Sequence, residues 1–428
     1  MTPRELALDV LIKCETKGQY SNLALDAALQ RVSLSEADRG LATTLVYGVL
    51  EKRRTLDHAL SGLSDRPISE IDPRLQALLR MGLYQLAYLD RIPDHAAVNE
   101  TVSLAGKRVG GFVNAILRAF IRQGKRIDLP REEEAGVATA LSVRHSVGLA
   151  LCETLLSSLG EEATRQYLAS LEKKPPLTLR VNTIKTNRES LLSALQEAGY
   201  TAEPTRFSKQ GLRVLSSAPI PSLPGFAEGW FFVQDEASQL CVAALEARPG
   251  MTVIDTCACP GSKSFGIAIE MKNTGSIHSC DLHANKLSLV QSGGARLGIS
   301  ILETEARDAR QPNPAWVEMA DRVLCDVPCS GFGVFAKKPE LRYKDVEKCK
   351  GLPKIQRDIL ETACRYVKEG GLLVYSTCTL LPEENEENIH AFLAAHSEFS
   401  CLRMRTLTPD VDETDGFFFA VLQKATKQ

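Results

Sequence analysis

The feature that most constrains the fold is the alternation of strand-type and helical segments after Gly250. An apolar run at Thr252–Asp255 leads into a tight loop of small residues, and a helical pattern follows through Met271. Three further apolar runs alternate with helical segments: Ile277–Cys280, Val323–Cys325 and Leu372–Tyr375. This rhythm predicts a doubly wound α/β domain with a mostly parallel sheet.

The first strand, loop and helix of such a domain predict a cofactor site, because ligands of open α/β sheets bind at the carboxyl ends of the strands. Asp281 follows the second strand and can accept hydrogen bonds from both hydroxyls of a ribose. Asp308 follows the third strand and can accept one from an adenine amino group. The loop has neither G-x-G-x-x-G nor P-loop spacing, so a nucleoside-bearing cofactor without a pyrophosphate is favoured.

The chain contains 12 cysteines, an unusual number for a protein that we expect to be intracellular. No two of them have CxxC spacing and no histidine has a partner at metal-ligand spacing, so no metal site is predicted. Two cysteines stand out because each follows a strand at the same edge as the cofactor loop. Cys329 lies in a Pro-Cys-Ser-Gly turn that allows it to face a flat ligand together with Asp326, while Cys378 approaches from the neighbouring strand. Either cysteine considered alone would be interpreted as buried and inert.

The N-terminal part of the chain has a different pattern. From residue 3 to about 125, leucines recur at intervals of three and four residues, which predicts an all-α domain. After Lys173–Pro176, short strand-type runs surround one helical segment, which predicts a small α+β subdomain. We therefore expect a helical domain at residues 1–128, linker helices and the α+β subdomain at 129–240, and the α/β domain at 241–428.

The N-terminus and the apolar segments predict neither export nor a membrane span. Glu5 and Asp9 interrupt any secretory signal, and the longest apolar stretch, Leu41–Leu50, is too short to cross a bilayer. We therefore expect a cytoplasmic protein that does not interact with a membrane.

The net charge of the chain does not indicate a nucleic-acid or membrane partner, because 51 Lys and Arg nearly balance 53 Asp and Glu. Only local clusters of charge are informative. One basic segment extends from Lys107 to Arg126 without an acidic residue, and a second from Lys337 to Arg357 has eight basic and three acidic residues. Either segment fits a phosphate backbone, although a basic helix face is more often simply solvated. The candidate RNA contacts are Lys107, Arg108, Arg118, Arg122, Lys337, Lys338 and Arg342.

Three segments of the α/β domain carry a family resemblance. Cys257–Lys263, Asp326–Gly331 and Ser376–Glu386 resemble, in this order, the cofactor, proline-cysteine and threonine-cysteine motifs of the RNA cytosine-C5 methyltransferases. Two N-terminal segments, Ala97–Glu100 and Phe112–Arg118, resemble the helical RNA-binding domain of the antitermination factor NusB. The combination is similar to the layout of bacterial methyltransferases of small-subunit ribosomal RNA, and it extends over essentially the whole chain.

The resemblance implies a fold, a reaction and a set of site residues. The fold would be an all-α NusB-like domain, an RRM-like α+β subdomain and a Rossmann-like domain with a mostly parallel seven-stranded sheet. The reaction would transfer a methyl group from S-adenosylmethionine to C5 of a cytosine in 16S ribosomal RNA, at position 967, by a monomeric enzyme acting on a single-stranded or flipped-out base. Cys378 would be the nucleophile, Cys329 the product-releasing cysteine and Asp326 the partner of the N3/N4 edge of the base. The cofactor would contact Cys257, Ala258, Cys259, Pro260, Gly261, Ser262, Lys263, Asp281, Asp308 and Asp326.

The sequence departs from the family pattern at two places. Cys259, Ser262 and Ser264 replace the usual residues of the cofactor loop, and a side chain at position 262 is expected to crowd the cofactor. Ala336–Tyr343 replaces a different basic stretch that relatives often carry, and it keeps the basic character without the same residues. The acidic run Glu383–Glu387 is interpreted as the opening of a helix, where carboxylates favour the helix dipole.

Two alternatives stay open at this point. The catalytic motifs fit a tRNA or 23S ribosomal RNA methyltransferase equally well, and only the N-terminal domain favours the small subunit. Ser262 also leaves room for a non-catalytic RNA-binding factor in ribosome assembly. A DNA methyltransferase is disfavoured, because that class uses the proline-cysteine residue as its nucleophile and has no need of a second cysteine.

Overall fold

The computed structural model describes residues 1–216 and 219–426, which form two compact units. The first unit comprises Met1–Lys173 together with the later segment Phe335–Val346. The second comprises Lys174–Val334 and the chain from Glu347 onward. Within the described residues, no helix is long and apolar enough to cross a membrane.

The first unit is helical, as predicted. Its helices are α1 (Pro3–Lys17), α2 (Ser21–Gln30), α3 (Glu36–Ser61), α4 (Pro73–Tyr88), α5 (Asp94–Arg122), α6 (Glu132–Ala135), α7 (Val137–His145), α8 (Leu149–Leu159) and α9 (Glu161–Ser170). Local sequence signals set several boundaries: Thr2 and Glu5 form a capping box before α1, and the Asp72 side chain caps α4 ahead of Pro73. The apolar faces of α1 to α5 enclose one hydrophobic core.

Helix α5 is interrupted at Gly106. This residue has φ 71° and ψ 174°, a backbone conformation that favours glycine, and the helix continues on its far side. Lys107 and Arg108 follow the interruption directly and are exposed. The interruption therefore presents two basic side chains at the start of the second half of the helix.

The second unit begins with a small antiparallel sheet. Its elements are β1 (Leu177–Val181), α10 (Arg188–Glu197), β2 (Ala202–Pro204), β3 (Gly211–Val214) and β4 (Phe231–Val233), and the strand order is β2-β3-β1-β4. The α+β prediction is confirmed. Strand β2 was missed because it has only three residues and Glu203 and Pro204 are exposed, which removes the apolar alternation of a strand.

The rest of the second unit is the predicted α/β sandwich. Its elements are α11 (Glu236–Ala244), β5 (Thr252–Asp255), α12 (Ser262–Glu270), β6 (Ser276–Asp281), α13 (Ala284–Leu297), β7 (Leu302–Ala306), β8 (Ala320–Asp326), α14 (Leu352–Ala363), β9 (Val367–Thr377), α15 (Glu386–Ala395), β10 (Phe399–Leu407) and β11 (Phe417–Lys424). The strand order is β10-β11-β9-β8-β5-β6-β7, and among the described strands only the pairs β10–β11 and β11–β9 are antiparallel. The mostly parallel seven-stranded sheet is thus confirmed.

The order of the strands in the seven-stranded sheet indicates where a ligand site is expected. From β5 the chain proceeds outward through β6 and β7, then returns to β8 and proceeds through β9 to the other edge. The strands on either side of this reversal, β5 and β8, are paired in parallel. A crevice opens at the carboxyl ends of strands at such a reversal, and ligands of doubly wound sheets bind there.

Candidate active site

The three motif segments meet at this reversal. The cofactor loop follows β5, the Pro-Cys turn follows β8, and the Thr-Cys turn follows β9, the neighbour of β8. The parallel register of β8 and β9 pairs Cys325 with Tyr375 and Asp326 with Ser376. Because parallel strands end at the same edge, loops that are far apart in sequence are placed next to one another.

The cofactor loop turns tightly into helix α12 at Gly261. The Gly261 amide donates to the Ala258 carbonyl at 2.7 Å, and the φ of Gly261 is 113°. A Cβ at this position would also lie 2.6 Å from the Phe265 ring, so glycine is required here. Ser262, by contrast, is the first residue of α12 and has no positive φ, so its side chain causes no backbone strain. Whether that side chain crowds a cofactor stays a prediction.

The Asp326 carboxylate of the Pro-Cys segment contacts one side chain from each of the other two motif segments, Lys263 and Ser376. The Nζ of Lys263 lies 2.7 Å from Oδ2 of Asp326, and Oδ1 of the same carboxylate accepts from Ser376 Oγ at 2.8 Å. Although burial opposes the charged form, the Asp326 carboxylate and the Cys241 thiol raise the pKa of Lys263 above its usual value. The ammonium group is therefore retained and fixes Asp326 at the edge of the sheet.

The two candidate cysteines are in direct contact. Their sulfurs lie 3.2 Å apart and are not joined by a disulfide bond, and the Cys378 amide donates to Cys329 Sγ at 3.3 Å. Both side chains are half-buried. The contact with Cys378, together with burial and the nearby Glu384 carboxylate, raises the pKa of Cys329 well above its ordinary value.

Asp281 and Asp308 follow β6 and β7, as the sequence indicated. Asp281 is half-buried, and its carboxylate accepts from the His283 amide at 2.9 Å, which leaves further acceptor capacity. Asp308 binds the Arg310 guanidinium through both oxygens, at 2.7 and 2.9 Å for the shorter contacts, and this pairing lowers its pKa. Any adenine contact by Asp308 has to be made beside that ion pair.

Asp255 was missed as a candidate. It ends β5 directly before the cofactor loop and is 0% exposed. Oδ2 accepts from Ser264 Oγ at 2.7 Å, but Oδ1 has no hydrogen-bond partner among the described residues. Burial raises the pKa of this carboxyl to about 7. The signal was available in the sequence, since Asp255 ends an apolar strand in the same way as Asp281 and Asp326.

The prediction that Glu384 opens a helix and faces its dipole is wrong. Helix α15 begins at Glu386, whereas Glu384 lies in the short turn before it and is 1% exposed. Its carboxylate accepts hydrogen bonds from the Ser330 amide and from Gln356 rather than facing solvent. The helix-opening interpretation therefore fits Glu386 and Glu387, and it is incorrect for Glu384.

The two basic segments differ in the structure. Lys107, Arg108, Arg118 and Arg122 are all exposed on α5. Arg342 is 3% exposed, and its guanidinium donates to the backbone carbonyls of Phe335 and Glu51 within the first unit. The structure thus contradicts an RNA contact by Arg342, because its charge is used to hold the backbone.

Lys337 and Lys338 lie in the same segment and are half-buried. Lys338 Nζ is 5.1 Å from the centre of the Tyr20 ring, a cation–π contact within the first unit. These two lysines stay candidate RNA contacts.

One group of metal-ligand types lies outside the site. Glu361, Cys364 and His396 have ligand atoms within 4.8 Å of one another. Both ring nitrogens of His396 already contact carboxylates, Glu361 at 2.9 Å and Glu398 at 3.0 Å. These contacts raise the pKa of His396 even though burial opposes it, and the contacts of the ring with two carboxylates account for the group.

Comparison with protein families matches all three regions of the chain. The model described as 16S rRNA methyltransferase RsmB/F matches residues 242–423, and the NusB family model matches residues 1–122. A ferredoxin-like domain of RsmF/B-like methyltransferases matches residues 150–221.

Individual relatives match over their full length. The chain is 37% identical to a Bacillus subtilis protein named probable ribosomal RNA small subunit methyltransferase B, over 445 residues covering 98% of each chain. It is equally identical over 451 residues to a protein of that name from Synechocystis sp., covering 99% of this chain and 100% of the relative. A crystal structure of a protein called PH0851 superimposes with a TM-score of 0.84 at 27% identity and covers 99% of both chains.

The sheet, the loop after β5 and the matched families define an enzyme that transfers methyl groups from S-adenosylmethionine. The chain belongs to the RsmB/F family of 16S ribosomal RNA methyltransferases, with the NusB domain and the ferredoxin-like subdomain of that family.

Proposed function

We propose that the protein methylates C5 of a cytosine in 16S ribosomal RNA through a covalent bond between Cys378 and C6 of the base. The observation that carries the proposal is the pair of thiols 3.2 Å apart, at the ends of adjacent strands and beside the ion pair of Lys263 and Asp326. The membership of the chain in a 16S ribosomal RNA methyltransferase family supports the choice of RNA.

A thiol nucleophile is needed because C5 of cytosine is too weak a nucleophile to attack a methyl donor. Cys378 as thiolate adds to C6, and the electrons of the C5=C6 double bond then make C5 nucleophilic. After C5 has accepted a methyl group, its proton passes to a base, the double bond reforms and the C6–S bond breaks to release the Cys378 thiolate. The target base has to be unpaired or flipped out for C5 and C6 to be reached.

Cys329 is proposed to assist the release. Its raised pKa keeps it a thiol, so it can donate a hydrogen bond to the sulfur of Cys378. Such a bond stabilises Cys378 as a thiolate, both before attack and when it leaves C6. Removal of Cys329 therefore impairs release and leaves the adduct on the RNA.

Asp326 is proposed to bind the N3/N4 edge of the base. Its carboxylate is half-buried at the end of β8, the strand that leads into the Pro-Cys turn. Lys263 and Ser376 fix its two oxygens from either side, and each oxygen keeps a lone pair for the base. Hydrogen bonds at this edge hold the ring beside Cys378, so that C6 is presented for attack.

The residues at the ends of β5 and β6 fit S-adenosylmethionine. Asp281 provides a carboxylate for ribose hydroxyls, and the unpartnered Oδ1 of Asp255 is an acceptor for a cationic or N–H donor. The cofactor loop from Cys257 to Lys263 is proposed to contact it. When bound, the cofactor supplies the electrophilic methyl group.

Exposed basic residues of α5 are proposed to contact the RNA backbone. Arg118 and Arg122 lie one turn apart on this helix, and Lys107 and Arg108 precede them. The double variant Arg118→Ala, Arg122→Ala should weaken binding to a 16S ribosomal RNA fragment and reduce the dependence of the affinity on salt. An unchanged affinity and salt dependence would remove this face from the proposal.

Bisulfite sequencing of RNA from cells with and without the protein tests the function. A single cytosine of 16S ribosomal RNA, at position 967 as the resemblance implies, should lose protection when the protein is absent. Loss at a tRNA or 23S site instead would favour the alternative substrates. No change at any cytosine, combined with no calorimetric binding of millimolar S-adenosylmethionine, would favour the assembly factor.

A further inference from the structure

Two adjacent buried residues, Glu384 and Asn385, connect the turns that carry the two cysteines. Glu384 is 1% exposed and Asn385 is 0% exposed. They lie in the turn between the Thr-Cys motif and helix α15. Every contact described below lies within the second unit.

Asn385 fixes the Thr-Cys turn on both sides of Cys378. Its Oδ1 accepts from Thr377 Oγ1 at 2.6 Å, and its Nδ2 donates to the Thr379 carbonyl at 3.0 Å. These are the residues directly before and after the proposed nucleophile. The side chain of Asn385 therefore determines how the backbone presents Cys378.

Glu384 fixes the Pro-Cys turn in the same way. Its Oε2 accepts from the Ser330 amide at 2.9 Å and from Gln356 Nε2 at 2.7 Å, and Gln356 Nε2 also donates to the Pro328 carbonyl at 3.0 Å. Pro328 and Ser330 are the residues on either side of Cys329. The two turns are also joined directly, because Ser330 Oγ donates to Thr379 Oγ1 at 2.8 Å.

We propose that Glu384 and Asn385 are positioning residues that hold the sulfurs of Cys329 and Cys378 at reactive separation. Consecutive residues anchor one turn each, so a single short segment determines the geometry of both. Buried polar groups that are fully hydrogen-bonded restrict a site to one arrangement. The inference rests on the proposed function for its catalytic meaning, although the geometric part does not depend on it.

Glu384 also has an electrostatic consequence. After the contact with Cys378 and burial, the negative charge of Glu384 is a further cause of the raised pKa of Cys329. A nearby anion disfavours a second thiolate. Glu384 thus helps to keep the proton on Cys329.

Three full-length variants test the proposal: Asn385→Ala, Glu384→Gln and the matched control Glu387→Gln, which removes an exposed carboxylate from the first turn of α15. Two measurements are made on each. The first is the rate at which iodoacetamide alkylates Cys329 and Cys378 in the RNA-free protein, resolved by peptide mass spectrometry. The second is kcat and KM with S-adenosylmethionine and a 16S ribosomal RNA transcript.

For Asn385→Ala, kcat should fall by about 10²-fold, the loss typical of a displaced reacting group, while KM for S-adenosylmethionine stays unchanged. For Glu384→Gln, the amide oxygen can still accept both hydrogen bonds, so the fold is retained while the charge is lost. Alkylation of Cys329 should then increase relative to Cys378. The control should behave as the unaltered protein in both measurements.

The inference is overturned if both variants match Glu387→Gln in alkylation ratio and in kcat. A fall in kcat that is accompanied by an equal loss of folded protein on thermal melting also counts against it for Asn385→Ala. In that case Asn385→Asp decides, since it keeps the acceptor for Thr377 and replaces the donor to Thr379 with a second acceptor oxygen. A folded Asn385→Asp protein with the kcat of the unaltered protein overturns the positioning role, and one with a reduced kcat supports it. If the unaltered protein methylates no RNA, the proposed function fails, and the alkylation ratio still tests the positioning role.

Discussion

The turns that carry Cys329 and Cys378 end neighbouring strands of one sheet, yet they are anchored differently. Cys378 follows the last residue of β9, and Asn385 binds both of its chain neighbours. Cys329 lies three residues beyond β8 and depends on Glu384 and Gln356 for its position. This difference fits a nucleophile, Cys378, that is held in a fixed position, and a second thiol, Cys329, that acts on it. Variants of either turn can test this division of roles.

The largest effect is expected for Cys378→Ala. Removal of the nucleophile leaves no route to an activated C5, so methylation should fall by roughly 10⁴-fold or more, as for other nucleophile deletions. Transfer of tritium from labelled S-adenosylmethionine to 16S ribosomal RNA measures it. Substantial remaining transfer would show that the assignment of roles to the two cysteines is wrong.

A smaller loss with a distinctive signature is expected for Cys329→Ala. The leaving thiolate loses a charge-assisted hydrogen bond, so release should slow by roughly 10- to 10²-fold. A slowly migrating protein–RNA band should accumulate on denaturing gels, and it should be absent from the double variant that also lacks Cys378. If Cys329→Ala turns over without such a band, the second thiol has no part in release.

The substitution Asp326→Asn tests the role of the carboxylate at the end of β8, the strand that leads into the turn with Cys329. The substitution leaves the Lys263 ammonium without its carboxylate, which should lower the free energy of unfolding by about 1–3 kcal/mol. It should also weaken the hold on the N3/N4 edge of the base and lower kcat. Denaturant unfolding and methylation assays on the same preparation check both. Asp321→Asn, at an ion pair elsewhere on β8, provides a control for stability alone.

The smallest expected effect is a difference in pH dependence. Because the pKa of Cys329 is raised, its thiolate should form only at higher pH than an ordinary cysteine thiolate. Alkylation of Cys329 by iodoacetamide should therefore reach its plateau at a higher pH than alkylation of a cysteine in a short reference peptide. Labelling between neutral and alkaline pH, followed by peptide mass spectrometry, measures the plateau, and a plateau at or below the pH found for the reference peptide would contradict it.

Much of the fold and of the site could be predicted because strand ends leave a local signature. The apolar runs before Asp281, Asp326 and Cys378 indicated strands, and parallel strands bring their carboxyl ends together. Strand β10 had no such signature, since it is an edge strand with mostly exposed or half-buried side chains between Phe399 and Leu407.

The sequence did not allow us to predict which charged side chains are buried. Arg342 lies among lysines, and Glu384 lies among other glutamates, so both have the local pattern of exposed residues. The structure buries each because a distant backbone requires its hydrogen bonds: the carbonyls of Phe335 and Glu51 for Arg342, and the Ser330 amide for Glu384. A hydrogen-bond partner that is distant in the sequence produces no local periodic pattern, so it cannot be detected from the residues around Arg342 or Glu384.

The central claim is that Cys378 bonds to the base, and peptide mapping of a trapped adduct tests it most directly. In RNA that carries 5-fluorocytosine, C5 has no proton to lose after methylation, so the C6–S bond cannot be released. After digestion of the trapped complex, mass spectrometry should find the nucleotide on the peptide that contains Cys378. A nucleotide on the peptide that contains Cys329, or no covalent adduct at all, would contradict the account.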